Sequence, residues 1–201
     1  MKRIVLACCC LLGIFTAQLE GQTFHGGLTA GLVASQVSGD QSGGYNKLGF
    51  YGGPWASFGF RENWRFQMEI TFMQKGSREN PSEDNNHRSY KLDLNYIEVP
   101  LMFRWYFRDK LELEFGIAYG VLVYTYEEED FVELNSRPFN THNSSLVLGL
   151  YYHLSDNWSA NFRTSNSITP VRKHISGGTY IRRLNFGQTN NILTLGLFYR
   201  I

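Results

Sequence analysis

The sequence contains few cysteines, and all of them lie in one short segment near the N-terminus. The three cysteines occupy positions 8, 9 and 10, so removal of this segment leaves a chain that can form neither disulfides nor thiolate metal sites. After residue 22 there is no apolar run long enough for a transmembrane helix, and helix-favouring stretches are scarce. These absences exclude a disulfide-stapled scaffold and a helical membrane protein.

The N-terminal segment has the order of charges and apolar residues that is typical of a secretory signal. Lys2 and Arg3 precede an apolar run from Ile4 to Phe15, and small residues follow at Thr16 and Ala17. We expect cleavage after Ala17, or a few residues later.

A lipoprotein signal is the alternative for the same segment, with the lipid attached to Cys8. It leaves only a few apolar residues before the modified cysteine, so the cleaved signal is preferred. The sequence therefore predicts a signal peptide over 1–22, with cleavage between about 17 and 22, and a single domain over 23–201.

Bulk composition does not distinguish a soluble β domain from a membrane barrel. Aromatic residues make up 15% of the chain, glycine occurs 20 times, and the net charge is only +1. A membrane barrel also averages to a polar composition, because only alternate strand residues face lipid. The sequence has no strong positive net charge and no motif of a known nucleic-acid-binding fold, which argues against nucleic acid as a partner.

Short polar turns alternate strictly with long polar segments along the chain. The turns are centred on Arg61–Asn63, Arg108–Lys110 and Ser155–Asn157, and the long segments run over about 38–46, 76–90, 127–144 and 170–190. Outer-membrane barrels have short periplasmic turns and long extracellular loops. Three turns and four loops connect eight strands, and this number places both termini on the periplasmic side.

The segments between these turns and loops alternate apolar and polar residues with the period of a β-strand. The clearest runs are 64–72, 111–123, 146–154 and 193–201. In each run alternate residues are apolar, so one face of the predicted strand is apolar along its length. The sequence thus predicts an all-β fold: an eight-stranded antiparallel up-and-down transmembrane β-barrel with short periplasmic turns and long extracellular loops.

One segment departs from the alternation. Leu92, Leu94 and Tyr96 share one parity, whereas the apolar residues from Ile97 onward take the other. One extra residue near Tyr96 would reconcile the two halves, so we expect a β-bulge there or emergence from the membrane. Pro100 adds to this expectation, since proline has no backbone N–H to donate to the neighbouring strand.

Large aromatic residues of the apolar face collect near the short turns. In a soluble lipocalin-like barrel this apolar face would form the core, and a core has no reason to concentrate tryptophan at one rim. A membrane barrel does concentrate aromatic residues there, because their rings are favoured at the membrane–water interface. We therefore predict an interfacial aromatic girdle consisting of Phe60, Trp64, Trp105, Phe107, Trp158 and Tyr199.

The polar face carries charges of nearly balanced sign. In a narrow eight-stranded barrel these side chains must neutralise one another, and they leave no open pore. We expect a lumen charge network of Arg65, Glu69, Glu98, Arg104, Glu112, Glu114, Arg163 and Arg200, with Lys75 on the same face.

The stretch from Leu94 to Leu101 contains the pattern Tyr-Ile-Glu-Val-Pro, and Gly26–Val33 is rich in glycine. These two stretches resemble the Tyr-[Ile/Leu]-Glu-[Ile/Val]-Pro motif and the glycine-rich first strand of a known family, the PorT-like outer-membrane β-barrels of Bacteroidota-type bacteria. The resemblance implies the fold and the outer-membrane location. It does not carry over the secretion role after which the family is named.

Two patterns suggest chemistry, and for both a structural role is preferred. His153 and Ser155 have the spacing seen in outer-membrane lipid A deacylases, but Ser155 lies in a short turn, away from the outer leaflet, without an obvious orienting acid. The acidic run Glu127–Asp130 with Glu133 could bind Ca²⁺, yet it lacks the spacing of a calcium loop. We therefore predict no catalytic residues, no metal site and no cofactor.

The last long loop is basic and is a candidate surface for lipopolysaccharide phosphates. Arg and Lys suit phosphate, although a solvated loop explains the same residues. The possible contacts are Arg172, Lys173, Arg182 and Arg183.

These expectations favour a non-enzymatic barrel with a structural or interaction role and a side-chain-filled lumen. Its partners would be outer-membrane lipid, lipopolysaccharide and an unidentified cell-envelope protein, and the barrel would be a monomer because closure satisfies every strand edge. The alternatives are a lipid-modifying enzyme, a small transport channel and, with inside and outside exchanged, a secreted lipocalin-like binding barrel.

Overall fold

The computed structural model describes residues 24–40, 42–134, 137–173 and 187–201. The predicted signal peptide over 1–22 lies outside the described residues. Within these ranges, no helix has the length and apolarity that crossing a membrane requires.

The described chain is almost entirely β-strand, interrupted by one short 3₁₀ helix at Glu83–Asn85. The strands are β1 (Phe24–Ser38), β2 (Lys47–Arg61), β3 (Trp64–Glu69), β4 (Thr71–Glu79), β5 (Tyr90–Arg108), β6 (Leu111–Glu129), β7 (Val132–Glu133), β8 (His142–His153), β9 (Trp158–Ser167), β10 (Arg172–Lys173) and β11 (Gly187–Arg200).

The strands close into a ring of antiparallel neighbours. Each pairs with the next along the chain, and β11 returns to β1 over a register that runs from Gly27 opposite Arg200 to Ser38 opposite Thr189. β3 and β4 are two parts of one barrel strand, interrupted at Ile70, whose N–H still donates to the Pro54 carbonyl at 3.0 Å. Eight barrel strands result, with β7 and β10 as short extensions. The predicted all-β, up-and-down antiparallel barrel is confirmed.

The two ends of the barrel differ in the length of their connections. One end carries the tight turns at 62–63, 109–110 and 154–157, together with the two described chain ends at Phe24 and Ile201. We call this the short-turn end. The other, the long-loop end, carries the connections 39–46, 80–89, 130–141 and 168–186, of which 41, 135–136 and 174–186 fall outside the described residues.

The apolar face of the strands points outward and the polar face points inward. Leu148 and Leu195 are 57% and 60% exposed, whereas Glu112 and Glu114 are fully buried. Since the side-chain period of a strand is two, this assignment holds along each regular strand. The alternative of a lipocalin-like barrel, with an apolar interior, is therefore wrong.

The β-bulge expected near Tyr96 is present in the β5–β6 ladder, but it does not change the face of β5. Leu92, Leu94 and Tyr96 are fully buried on the same inward face as Glu98, so β5 keeps one parity throughout. A register shift does occur at this height, but the extra residue is Val123 on the neighbouring β6. The inward apolar residues pack in a cluster that fills the long-loop end of the lumen: Val37, Tyr90, Leu92, Leu94, Tyr96 and Val171.

Candidate functional site

Arg163 lies at the centre of the lumen between two carboxylates. Its Nη1 and Nη2 donate to Glu69 at 2.9 and 2.6 Å, and its Nε and Nη2 donate to Glu114 at 2.5 and 3.0 Å. All three side chains are buried. A guanidinium suits this role because its planar fork can serve two carboxylates at once.

A second arginine extends this centre toward the short-turn end. Arg104 Nη1 donates to Gln67 Oε1 at 2.5 Å, and Gln67 Nε2 donates to Glu69 Oε1 at 2.6 Å. The Arg104 guanidinium also lies 3.7 Å from the ring centroid of Tyr151, and its Nε lies 2.8 Å from Glu112 Oε2. Hydrogen bonds thus link Arg104, Gln67, Glu69, Arg163 and Glu114 into one network across the barrel, and the Arg104–Glu112 ion pair adjoins it.

Glycines on the inward face make room for these large polar side chains. A Cβ on Gly149 would lie 2.8 Å from the Phe162 carbonyl oxygen and 2.9 Å from Arg163 Cγ. A Cβ on Gly196 would lie 2.8 Å from Tyr51 Cζ. The glycine-rich strands therefore reflect the filling of the lumen by side chains.

Lys75 and Glu98 form a separate ion pair nearer the long-loop end. Both side chains are buried, and the Lys75 ammonium lies 5.1 Å from the ring centroid of Tyr96. The apolar cluster lies beyond this pair. The lumen is therefore occupied in three successive zones: the arginine network, the Lys75–Glu98 pair and the apolar cluster.

The long-loop end is held together by a buried ion pair, which corrects the expectation for Arg172. Arg172 Nη1 and Nη2 donate to the two Glu127 oxygens at 2.8 Å each, and Tyr90 Oη donates to Glu127 Oε1 at 2.7 Å. The Arg172 guanidinium also lies 4.2 Å from the Phe139 ring centroid, and Arg172 is only 8% exposed. It is therefore committed inside the barrel mouth, and so is Glu127, the first residue of the acidic run.

Of the other residues assigned to lipopolysaccharide, Lys173 is exposed next to this pair. Arg182 and Arg183 lie outside the described residues.

The first loop folds onto the same end. Asp40 is 7% exposed, and its Oδ1 accepts the Ser42 N–H at 2.9 Å. Burial raises the pKa of the Asp40 carboxyl, while the nearby Ser77 hydroxyl acts in the opposite direction.

The short-turn end opens into a cavity of about 230 Å³. Arg65, Arg104 and Arg200 are among its lining residues. Of the eight expected network residues, Glu69, Glu98, Arg104, Glu112, Glu114 and Arg163 are buried, whereas Arg65 and Arg200 lie at this mouth. Neither Arg65 nor Arg200 forms an ion pair with any residue in the described ranges.

His153 borders the same cavity, but it does not pair with Ser155. Its Nδ1 lies 2.9 Å from Ser159 Oγ, its Nε2 contacts Glu112, and its ring stacks on Tyr106 with a centroid distance of 5.5 Å. The Ser155 hydroxyl oxygen instead accepts the Trp158 N–H. The described part of the chain contains no group of three His, Cys, Asp or Glu side chains arranged to hold a metal ion.

The aromatic residues expected in a girdle lie on the outward face at the short-turn end. Trp64 stacks on Trp105 with ring centroids 6.0 Å apart, and Trp158 lies 4.9 Å from Tyr199. Five of the six are exposed and Trp64 is half-buried. The list of charged residues from the sequence missed the neutral members of the network. These are Gln67, Tyr151 and Asn161, and their inward parity was the available signal.

Comparison with known proteins agrees with this geometry. A model of the family described as outer membrane protein beta-barrel domain matches residues 16–172. Ail of Yersinia pestis, solved in complex with the heparin analogue sucrose octasulfate, is similar with a TM-score of 0.50 and 16% identity, covering 89% of this chain and 99% of that chain. Neisserial surface protein A (NspA) gives a TM-score of 0.51 and 13% identity, covering 90% and 100%. No curated protein matches the chain. At these identities the two structures share the fold alone.

Proposed function

We propose that this chain, which belongs to the outer membrane protein beta-barrel domain family, is a non-enzymatic barrel with a structural and interaction role. Membership of this family places the chain in the bacterial outer membrane. The barrel anchors the molecule in lipid, and the long loops provide the recognition surface. The stretch from Leu94 to Leu101 supports a place in the PorT-like branch of such barrels.

The observation that carries this proposal is the filled lumen. Arg163 connects Glu69 with Glu114 across the interior, and the Lys75–Glu98 pair and the apolar cluster close the path beyond it. A transport channel needs an aqueous path, which these side chains occupy. A structural plug needs a rigid interior, which they provide.

Replacement of Glu98 by Gln distinguishes a plug from a channel. The substitution leaves the buried Lys75 ammonium without its counter-charge, so we expect a lower unfolding temperature and a loss of about 1–3 kcal/mol. Ion conductance in planar bilayers should stay at the background level of the parent protein. Thermal unfolding and single-barrel conductance are the two measurements.

Glu62→Gln is the matched control, because Glu62 is exposed in a short turn. It should change neither the unfolding temperature nor the conductance. A stable open conductance in the parent protein that changes with Glu98→Gln, at unchanged stability, would identify a channel and refute the proposal.

Orientation in the membrane is part of the proposal: the long loops face the exterior and both termini face the periplasm. It is supported by the alternation of short turns and long loops, which is typical of outer-membrane barrels. In this orientation Lys173, with Arg182 and Arg183 from the same basic stretch of sequence, is our proposed contact for the lipopolysaccharide phosphates. Ail, whose solved complex contains a sulfated heparin analogue, is a barrel of similar fold that binds a polyanion. Weaker lipopolysaccharide binding after replacement of these three residues by Gln would support the contact.

An epitope tag inserted after Pro81, in the loop 80–89, should be stained by antibody on intact cells. The same tag between Glu62 and Asn63 should be stained only after the outer membrane is permeabilised, because that turn faces the periplasm. The opposite staining pattern would reverse the orientation.

A further inference from the structure

The mouth at the short-turn end is lined by Arg65 and Arg200, which the network does not use, and by Arg104, which it does. Arg65 and Arg104 are direct cross-strand neighbours on β3 and β5. Arg200 lies on β11, which β1 and β2 separate from β3, so it approaches the cavity from a different wall.

Arg65 and Arg200 differ from the other inward arginines in lacking a counter-charge. Arg104 and Arg163 each contact a carboxylate, whereas Arg65 and Arg200 have no ion pair within the described residues. Arg65 lies over the Tyr106 ring, 4.9 Å from its centroid, which fixes the guanidinium at the mouth. Two unpaired guanidinium groups on different walls of one cavity form a site that is complementary to an anion.

The floor of the cavity is aromatic and closed. Phe198 lies 6.1 Å from Trp55 and 4.8 Å from Tyr151 between ring centroids, and all three residues are buried. Arg104 covers the Tyr151 ring and closes the path to the interior. A ligand can therefore enter only from the short-turn side, and the closed floor admits a chain end but not a chain that passes through.

The acidic groups around the mouth select the charge of the anion. Asp109 and Asp156 line the cavity at the turns, and Glu112 lies behind it in contact with Arg104 and His153. A phosphate dianion would bring two negative charges close to these carboxylates, whereas a carboxylate brings one.

From this arrangement we propose that the short-turn mouth binds the terminal carboxylate of a peptide chain. Arg65 and Arg200 bind the carboxylate, and Trp55 and Phe198 contact the apolar side chain of the last residue. This inference goes beyond the proposed loop recognition, and it does not depend on which way the barrel is oriented.

The test uses protein isolated from the outer membrane in detergent and fluorescein-labelled Ala-Ala-Phe with a free C-terminus, followed by fluorescence anisotropy. We expect saturable binding that the C-terminally amidated peptide does not show. Arg65→Gln and Arg200→Gln should each weaken binding by about tenfold or more, because each removes a charge-assisted hydrogen bond to the carboxylate. Arg65→Lys should give an intermediate affinity, because it keeps the positive charge but loses the planar pair of N–H donors that a guanidinium offers to a carboxylate.

Arg61→Gln and Arg108→Gln are the matched controls, because both arginines lie at the same barrel end, exposed and outside the cavity lining. They should leave the affinity unchanged, and the gel shift between unheated and boiled samples checks that each variant is folded. Equal binding of the amidated peptide, an equal effect of Arg61→Gln, or no saturation at millimolar peptide would overturn the proposal. Tighter binding of inorganic phosphate than of the peptide would overturn the carboxylate assignment.

Discussion

Replacement of Arg163 by Met should destabilise the barrel by about 3–5 kcal/mol, the largest effect expected from any single lumen substitution. Met fills much of the volume of Arg, so the loss comes from charge and not from a cavity. Glu69 and Glu114 would remain buried and would lose the cation that they share. The measurement is the free energy of unfolding by urea in lipid vesicles.

The cause of this loss can be tested by removing the carboxylates as well. A buried ion pair contributes little net stability compared with neutral side chains of similar shape, whereas a broken pair is costly. The triple variant Arg163→Met, Glu69→Gln, Glu114→Gln should therefore recover most of the lost free energy. Arg108→Met, at an exposed position, is the control and should have almost no effect. If the triple variant is as unstable as Arg163→Met alone, the loss arises from packing and the electrostatic explanation is wrong.

The sequence predicted well which residues share a strand face, because parity alone determines that grouping, and the rim of aromatic residues indicated which face points outward. The run from Leu146 to Leu154 has one apolar row, and the short turns fix where each strand reverses, so the ring of eight strands follows from local pattern. The length of the connections similarly indicated which end carries the loops.

Parity does not determine the level of a residue along the barrel axis relative to residues on other strands. The sequence therefore could not predict which inward side chains meet. Arg163 meets Glu69, which precedes it by 94 residues, only because the stagger between strands places them at one level. The same ambiguity applies to Leu92 and Leu94: their parity indicated a bulge, which does occur at this height, but not that they fill the long-loop end of the lumen.

Arg172 shows a second limit of sequence patterns. A basic residue in a polar loop resembles a surface contact, and nothing near it in the sequence indicates that Glu127, which precedes it by 45 residues, is its partner. Burial of such a pair depends on tertiary contacts between the end of β6 and the short strand β10. The cavity at the short-turn end has the same origin, because its lining comes from several strands.

Replacement of Leu148 by Arg tests whether the apolar face contacts lipid. Leu148 lies in the middle of β8 and is 57% exposed, paired with Phe115 on one side and Thr164 on the other. In water, a charged residue at such an exposed position costs almost nothing. At the midplane of a bilayer, Arg on the lipid face of a barrel costs about 2–4 kcal/mol.

The depth dependence of this cost provides the matched control. Leu154 is similarly exposed, at 52%, but lies just beyond the end of β8 in a short turn, at the height of the aromatic girdle. Arg at an interfacial position costs only about 0–1 kcal/mol. The two substitutions are chemically identical, so only the surroundings differ.

The free energy of unfolding of Leu148→Arg and Leu154→Arg, measured by urea titration in lipid vesicles, therefore tests the central claim most directly. A membrane barrel with its polar face inward predicts a loss of about 2–4 kcal/mol for Leu148→Arg and at most about 1 kcal/mol for Leu154→Arg. Small and equal losses for both variants would mean that water surrounds the apolar face, and would contradict the account.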